Sequence, residues 1–148
     1  MTDEELPVSL EPVDAEHLDE MVVDTITGAW SLPPATHGQG VFSMRFPTVV
    51  VLMTTGFDPP VVTVAGPLAT GVPVDATALG AVNELNKAMA PFTFVLQDDS
   101  FVVTTHVPAM PFVPEHLLSA ISAITDLSRE LGPEIAAGLG ANAAGEGA

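Results

Sequence analysis

Hydrophobic positions recur along this chain with two different spacings, and the points where the spacing changes divide it into elements. The strongest pattern is near the end, where Leu117, Leu118, Ile121, Ile124, Leu127 and Leu131 keep the helical repeat of an amphipathic stripe. Pro114 sits in its first turn, where a missing N–H costs nothing, and Glu115 complements the positive helix end. Arg129 then reads as the last turn and Gly132-Pro133 as the stop. An earlier helix is expected from about Ala15 to Ile26, capped by Asp14, with Leu18, Met21, Val22 and Thr25 on one side and Glu16, Asp19 and Glu20 facing water. A middle helix follows Asp75 and runs to Ala90, its stripe being Leu79, Val82, Leu85 and Met89, until Pro91 ends it.

Between these lie segments of period two. Val41 to Phe46 sets Phe42, Met44 and Phe46 on one side and Ser43 and Arg45 on the other, the alternation of a half-buried strand. Thr48 to Thr55 is almost entirely β-branched or apolar, which predicts a central strand covered on both faces. A turn over Gly56, Phe57, Asp58 and Pro59-Pro60 leads into a third strand, Val61 to Ala65. Phe92 to Leu96 and Phe101 to Val107 form a hairpin around Gln97, Asp98, Asp99 and Ser100. Trp30 to Gly40 and Pro67 to Val74 carry prolines and glycines with little periodicity and are expected as loops. The expectation is an α+β fold, an antiparallel sheet of about five strands with helices packed on it, in the order α-β-β-β-α-β-β-α. It occupies residues 13–139, between an acidic extension (1–12) and a flexible tail (140–148) too poor in bulky apolar residues to offset ordering entropy.

Composition narrows what such a domain does. At 148 residues it is long enough to bury about two-thirds of its unfolded surface around one core without staples. The chain has no cysteine, which removes disulfides, thiolate nucleophiles and thiolate zinc sites. Its net charge of -16 comes from 19 acids against 3 basic residues, Arg45, Lys87 and Arg129. No phosphate-neutralising patch can be built from those, so nucleic acid and anionic membrane surfaces are excluded as partners, and a charge-steered partner is expected to be basic. The densest apolar run, Val49 to Met53, is far too short to cross a bilayer. Asp3, Glu4 and Glu5 open the chain where a secretory signal is basic, which makes the cytoplasm the expected compartment.

No residue set carries catalysis, a cofactor or a metal. No serine has the context of an activated nucleophile, and His17, His37, His106 and His116 are scattered without helical pairing. The acids lack calcium-loop spacing and the glycines of the tail lack phosphate-loop spacing. Two other features stand out. Asn83 and Asn86 lie in the middle helix, Asn86 on or beside its apolar stripe, where it is expected to hydrogen-bond backbone at the junction with the hairpin or, alternatively, to contact a ligand. One layer of helices covers one sheet face, so either Val61 and Thr63 or Phe42 and Met44 are left on an open apolar surface for a second copy or a binding groove.

Several stretches taken in order resemble the YbjN family, whose fold is that of type III secretion chaperones. They are Val82-Asn83-Glu84-Leu85-Asn86, then Phe92 to Asp99, then Phe101 to Val107, then Pro114-Glu115-His116-Leu117-Leu118. The likeness covers roughly residues 13–139 and departs at Val113, where the family often has Thr, and at Trp30 to Gly40, where relatives commonly show a strand. The resemblance implies an α+β sandwich, often dimeric, that binds a client protein or peptide as a chaperone or regulator without catalysis. A homodimeric, chaperone-like binder capturing an extended or amphipathic client segment is the leading expectation. A signal-sensing module, a subunit of a larger complex, and a small-ligand or enzymatic domain with a pocket between helices and sheet are its rivals.

Overall fold

The computed structural model describes residues 11–47 and 49–143. Among these, the elements follow as α1 (Ala15–Trp30), β1 (Ala35–Gly38), β2 (Val41–Phe46), β3 (Val49–Phe57), β4 (Pro60–Thr70), α2 (Ala76–Ala88), β5 (Thr93–Gln97), β6 (Ser100–Pro108), α3 (Pro114–Leu139) and β7 (Asn142–Ala143). The α+β class and the element order expected from periodicity are present, with β1 and β7 as additions. Every strand pair is antiparallel, in the order β1-β2-β3-β4-β6-β5, and β7 lies beside the end of β4. Helices α1 and α3 cover one face of the sheet, while α2 packs chiefly on β5.

The alternation in β2 does what period two requires, placing Phe42 and Met44 under the helices and Arg45 in solvent. Strand β3 differs from its expected double cover. Val49, Val51 and Met53 are buried, but Val50 and Leu52 are 36% and 42% exposed on the face without helices. Its β-branched residues satisfy strand propensity without being buried on both sides. Beneath α1 and α3 the space is filled by Leu18, Val22, Ile26, Val64, Phe101, Ile121 and Ile124, all fully buried.

Three boundaries move from their expected places, each for a local reason. Helix α1 continues one turn past Ile26, because Ser31 adopts a left-handed φ of 57° and its N–H bonds the Thr27 carbonyl at 2.8 Å. Trp30, expected in a loop, is therefore the last helical residue and meets Phe46 edge-on at 5.5 Å. The rest of that expected loop contains β1, which is exposed at all four positions and so shows no alternation to read. Strand β4 runs through Pro67 to Thr70, where a loop was expected. Its pairing with β3 ends at Ala65, so Pro67 has no ladder bond to lose on that side, and its carbonyl accepts the Ser128 hydroxyl of α3.

Helix α3 passes straight through its expected stop at Gly132-Pro133 and ends at Gly140, whose φ is 67°. Gly132 is there for close approach, since a Cβ would lie 2.7 Å from the Leu68 carbonyl oxygen of β4. Gly66 on β4 does the same from the other side, where a Cβ would meet Ile124 at 2.6 Å. Asn142 and Ala143 then pair with Thr70 and Ala69, so the expected tail begins with a strand. Residues 144–148 of that tail, and residues 1–10 of the expected acidic extension, lie outside the described residues.

Helix α2 starts where Asp75 predicts, with its carboxylate accepting the Ala78 N–H at 3.0 Å. Its expected stripe is shifted: Ala78 is buried, Val82, Leu85 and Met89 are half-buried, and Leu79 is 50% exposed. A helix lying beside the last strand has only that strand to pack on, so its buried arc is narrow.

Candidate functional site

Acids and strands are kept apart. Among the described residues no strand residue is Asp or Glu, and every acid stands on a helix or in a connection. The acids are densest on α1, where Glu16, Asp19, Glu20 and Asp24 follow one another at helical spacing. Glu16 and Glu20, and Glu20 and Asp24, are like-charged neighbours four residues apart, an arrangement that weakens a helix by a few tenths of a kcal/mol per pair. The described ion pairs use Lys87 with Glu84 and Arg129 with Asp126, both far along the chain.

Those four carboxylates line a groove of about 540 Å³ between α1 and the β1–β2 hairpin, with Thr36, Gly38 and Gln39 along its other wall and Val23 and Phe42 at its floor. Asp19 is the least free of the four, because the Thr55 hydroxyl donates to it at 2.6 Å and ties α1 to β3. The opposite flank of α1 faces α3 across a second groove of about 530 Å³, shared by Glu20 and Asp24 and otherwise formed by residues such as Met21, Ala29, Phe112 and Leu118.

Along the first groove runs an open sheet edge. Among the described residues, strand β1 pairs with β2 on one side only, in the register Ala35↔Ser43 and Thr36↔Phe42. In an antiparallel ladder the backbone groups of successive residues point alternately to the two sides. The Thr55 N–H bonds the Gly40 carbonyl at 2.9 Å, which sets that alternation in β2, so Ala35 bonds inward and Thr36 presents its N–H and C=O outward, at the edge beside the groove.

The other edge is β5, and it is occupied. Thr93, Val95 and Gln97 pair toward β6, leaving Phe94 and Leu96 to face outward. Asn86 of α2 takes both groups of Phe94: its Nδ2 donates to the Phe94 carbonyl at 3.0 Å and its Oδ1 accepts the Phe94 N–H at 2.6 Å. One carboxamide thus supplies the donor and the acceptor that a neighbouring strand would supply.

The remaining residues singled out from sequence separate. Phe42 and Met44 are core residues under the helices, so the open sheet face belongs to Val61 and Thr63, both half-buried, and Thr63 hydrogen-bonds His106 at 2.9 Å. Asn83 is exposed on α2. Asn86 makes the backbone hydrogen bonds expected of it at the junction with the hairpin, although as a residue it is largely exposed. The β1 edge and its groove are absent from the expected set; the signal for them was a run of acids on α1 with no basic residue spaced to pair with them.

Among the described residues no group of His, Cys, Asp and Glu is placed to hold a metal ion, and no helix is long and apolar enough to cross a membrane. The filled space between helices and sheet gives the small-ligand reading no support.

Solved structures of similar fold share little sequence. The chaperone–effector complex HopA1-SchA aligns with a TM-score of 0.63 at 14% identity, covering 80% of this chain and 96% of the other. The ExsC-ExsE complex aligns with a TM-score of 0.69 at 10% identity, covering 82% and 95%. The Yersinia pestis type III secretion chaperone SycH, in complex with a fragment of YscM2, gives a TM-score of 0.57 at 12% identity over 74% and 94%. No curated protein matches the sequence. The family described as T3SS (YopN, CesT) and YbjN peptide-binding chaperone 1 matches residues 16–146, and with nearly the whole fold inside that match the chain belongs to this family.

Proposed function

We propose that the protein is a non-catalytic, chaperone-like binder of polypeptide that works in the cytoplasm as a homodimer and takes an extended, basic segment of a client on the β1 edge. The observation that carries this reading is the open edge at Thr36 lying along a groove of four carboxylates. Backbone pairing would hold any extended segment, and alternate Lys or Arg side chains would relieve the repulsion along α1. Family membership supports peptide binding, and the solved relatives include complexes with effectors. The second copy is expected on the sheet face away from the helices, where Val50, Leu52 and Val95 are exposed and no strand residue is acidic. Contact through the helices would set carboxylate against carboxylate.

Titration with a short peptide of alternating Lys and Val, followed by calorimetry and backbone amide shifts, tests the reading. One peptide per chain is expected, with shifts centred on residues 36–39 and on α1, and affinity falling about tenfold or more with added salt. Equal binding of a Glu/Val peptide, or shifts confined to other surfaces, would remove the basis for it. Light scattering at tens of micromolar tests the dimer, for which a mass twice that of the chain is expected.

A further inference from the structure

We infer that Asn86 closes the β5 edge to strand addition and so confines client capture to β1; this deepens the peptide-binding reading and rests on it. A twisted sheet that is not a closed barrel has two edges, and each is a template for another strand. This sheet treats its two edges differently. At β1 the outward backbone pair of Thr36 has no partner among the described residues and lies beside the groove, and neighbouring Pro33 and Pro34 shorten the edge. At β5 only Phe94 and Leu96 face outward, and an incoming strand needs both to register. The Asn86 carboxamide holds the Phe94 pair with the geometry of a bridging residue, at 3.0 Å and 2.6 Å. Leu96 alone then offers a single residue's pair, too little to fix a strand.

Asparagine suits this role because its carboxamide carries a donor and an acceptor side by side, as the edge of a peptide group does. Aspartate would keep the acceptor for the Phe94 N–H but set a carboxylate against the Phe94 carbonyl. Serine or alanine would leave one or both groups open. Helix α2 delivers the side chain: Asp75 caps its start, and Val82, Leu85 and Met89 seat it against the core beside β5. The plug is neutral. On a chain of net charge -16, charge alone would not keep a basic client from an open β5 edge, so closing that edge falls to hydrogen bonding.

The test uses the full chain, Asn86→Ala and Asn86→Asp, with the Lys/Val peptide as probe. Calorimetry is expected to give one peptide per chain for the parent and two for Asn86→Ala, the second shifting the amides of Phe94 and Leu96. Amide hydrogen exchange supplies an arm that needs no peptide: Phe94 is expected to exchange at least tenfold more slowly than Leu96 in the parent, to lose that protection in Asn86→Ala, and to keep it in Asn86→Asp, whose carboxylate still accepts the Phe94 N–H. An Asn86→Ala variant that still takes one peptide, or a parent already shifted at Leu96, overturns the inference while leaving β1 capture standing. Equal exchange of Phe94 and Leu96 in the parent overturns it even if a variant fails to fold. No peptide bound by any of the three proteins would instead sink the peptide-binding reading on which it rests.

Discussion

The two edges of this sheet are built from opposite materials. Strand β5 is anchored: Phe94 is fully buried and meets Phe101 edge-on at 6.5 Å, the hairpin with β6 is continuous, and α2 lies alongside with Asn86 on the backbone. Strand β1 is exposed at every position, carries a register shift between Thr36 and Gly38, and among the described residues pairs with β2 alone. An edge strand is a hazard unless something blunts it, and the usual devices are charge, proline, shortness or cover. Here β5 has cover. At β1, shortness and flanking proline restrain the edge, and the negative charge of the adjoining helix repels acidic chains while inviting basic ones. The difference teaches that two edges of one sheet can be left differently available to another strand, and on the proposed reading the edge without a described partner is the one that takes the client.

The largest effect expected from testing this contrast is on stability. Phe94→Ala removes a fully buried ring and is expected to cost about 3 to 5 kcal/mol in urea unfolding, as large-to-small aromatic truncations in cores do. The corresponding change at the other edge, Thr36→Ala, is expected to cost less than about 0.5 kcal/mol, the ordinary value for an exposed site. Comparable losses at both would mean that β1 is as firmly integrated as β5, and the contrast would collapse.

A smaller but more specific effect is expected from Thr36→Pro. Its N–H points away from β2, so proline removes no bond of the sheet, yet it deletes the donor a client strand would use. Affinity for the Lys/Val peptide is expected to fall about tenfold or more, equivalent to about 1.4 kcal/mol, with the melting temperature almost unchanged. Unchanged affinity would move the peptide off the edge, toward the groove between α1 and α3.

How far this contrast could be read without coordinates depended on whether the residues involved leave a periodic trace. The hairpin of β5 and β6 was legible because two runs rich in β-branched and aromatic residues, Phe92 to Leu96 and Phe101 to Val107, flank the turn residues Asp98-Asp99. Strand β1 was not, since a strand with all four residues exposed has no alternation and sits behind Pro33-Pro34, a sequence that ordinarily means loop. The end of α3 was misread for a related reason. Gly132-Pro133 carries the composition of a helix stop, but glycine there answers to the Leu68 carbonyl, a contact made across more than sixty residues of chain that no local pattern encodes. The interest of Asn86 was legible from its place beside an apolar stripe; that its partner would be the outward face of an edge strand was a matter of topology.

The smallest effect expected is the most useful control. Asn83 and Asn86 stand one turn apart on α2, both exposed as residues, and differ in that Asn86 bonds Phe94. Replacing either with alanine raises helix propensity by about 0.5 kcal/mol, so Asn83→Ala is expected to be neutral or slightly stabilising. Asn86→Ala receives the same helical gain but leaves an N–H and a C=O of β5 without their partner, which costs on the order of 1 to 3 kcal/mol where water cannot fully replace it. The difference between the two melting curves therefore isolates the edge bond from the helix that carries it. If both variants shift alike, the carboxamide of Asn86 contributes nothing as a partner for β5, and the closed edge must owe its closure to the bulk of α2.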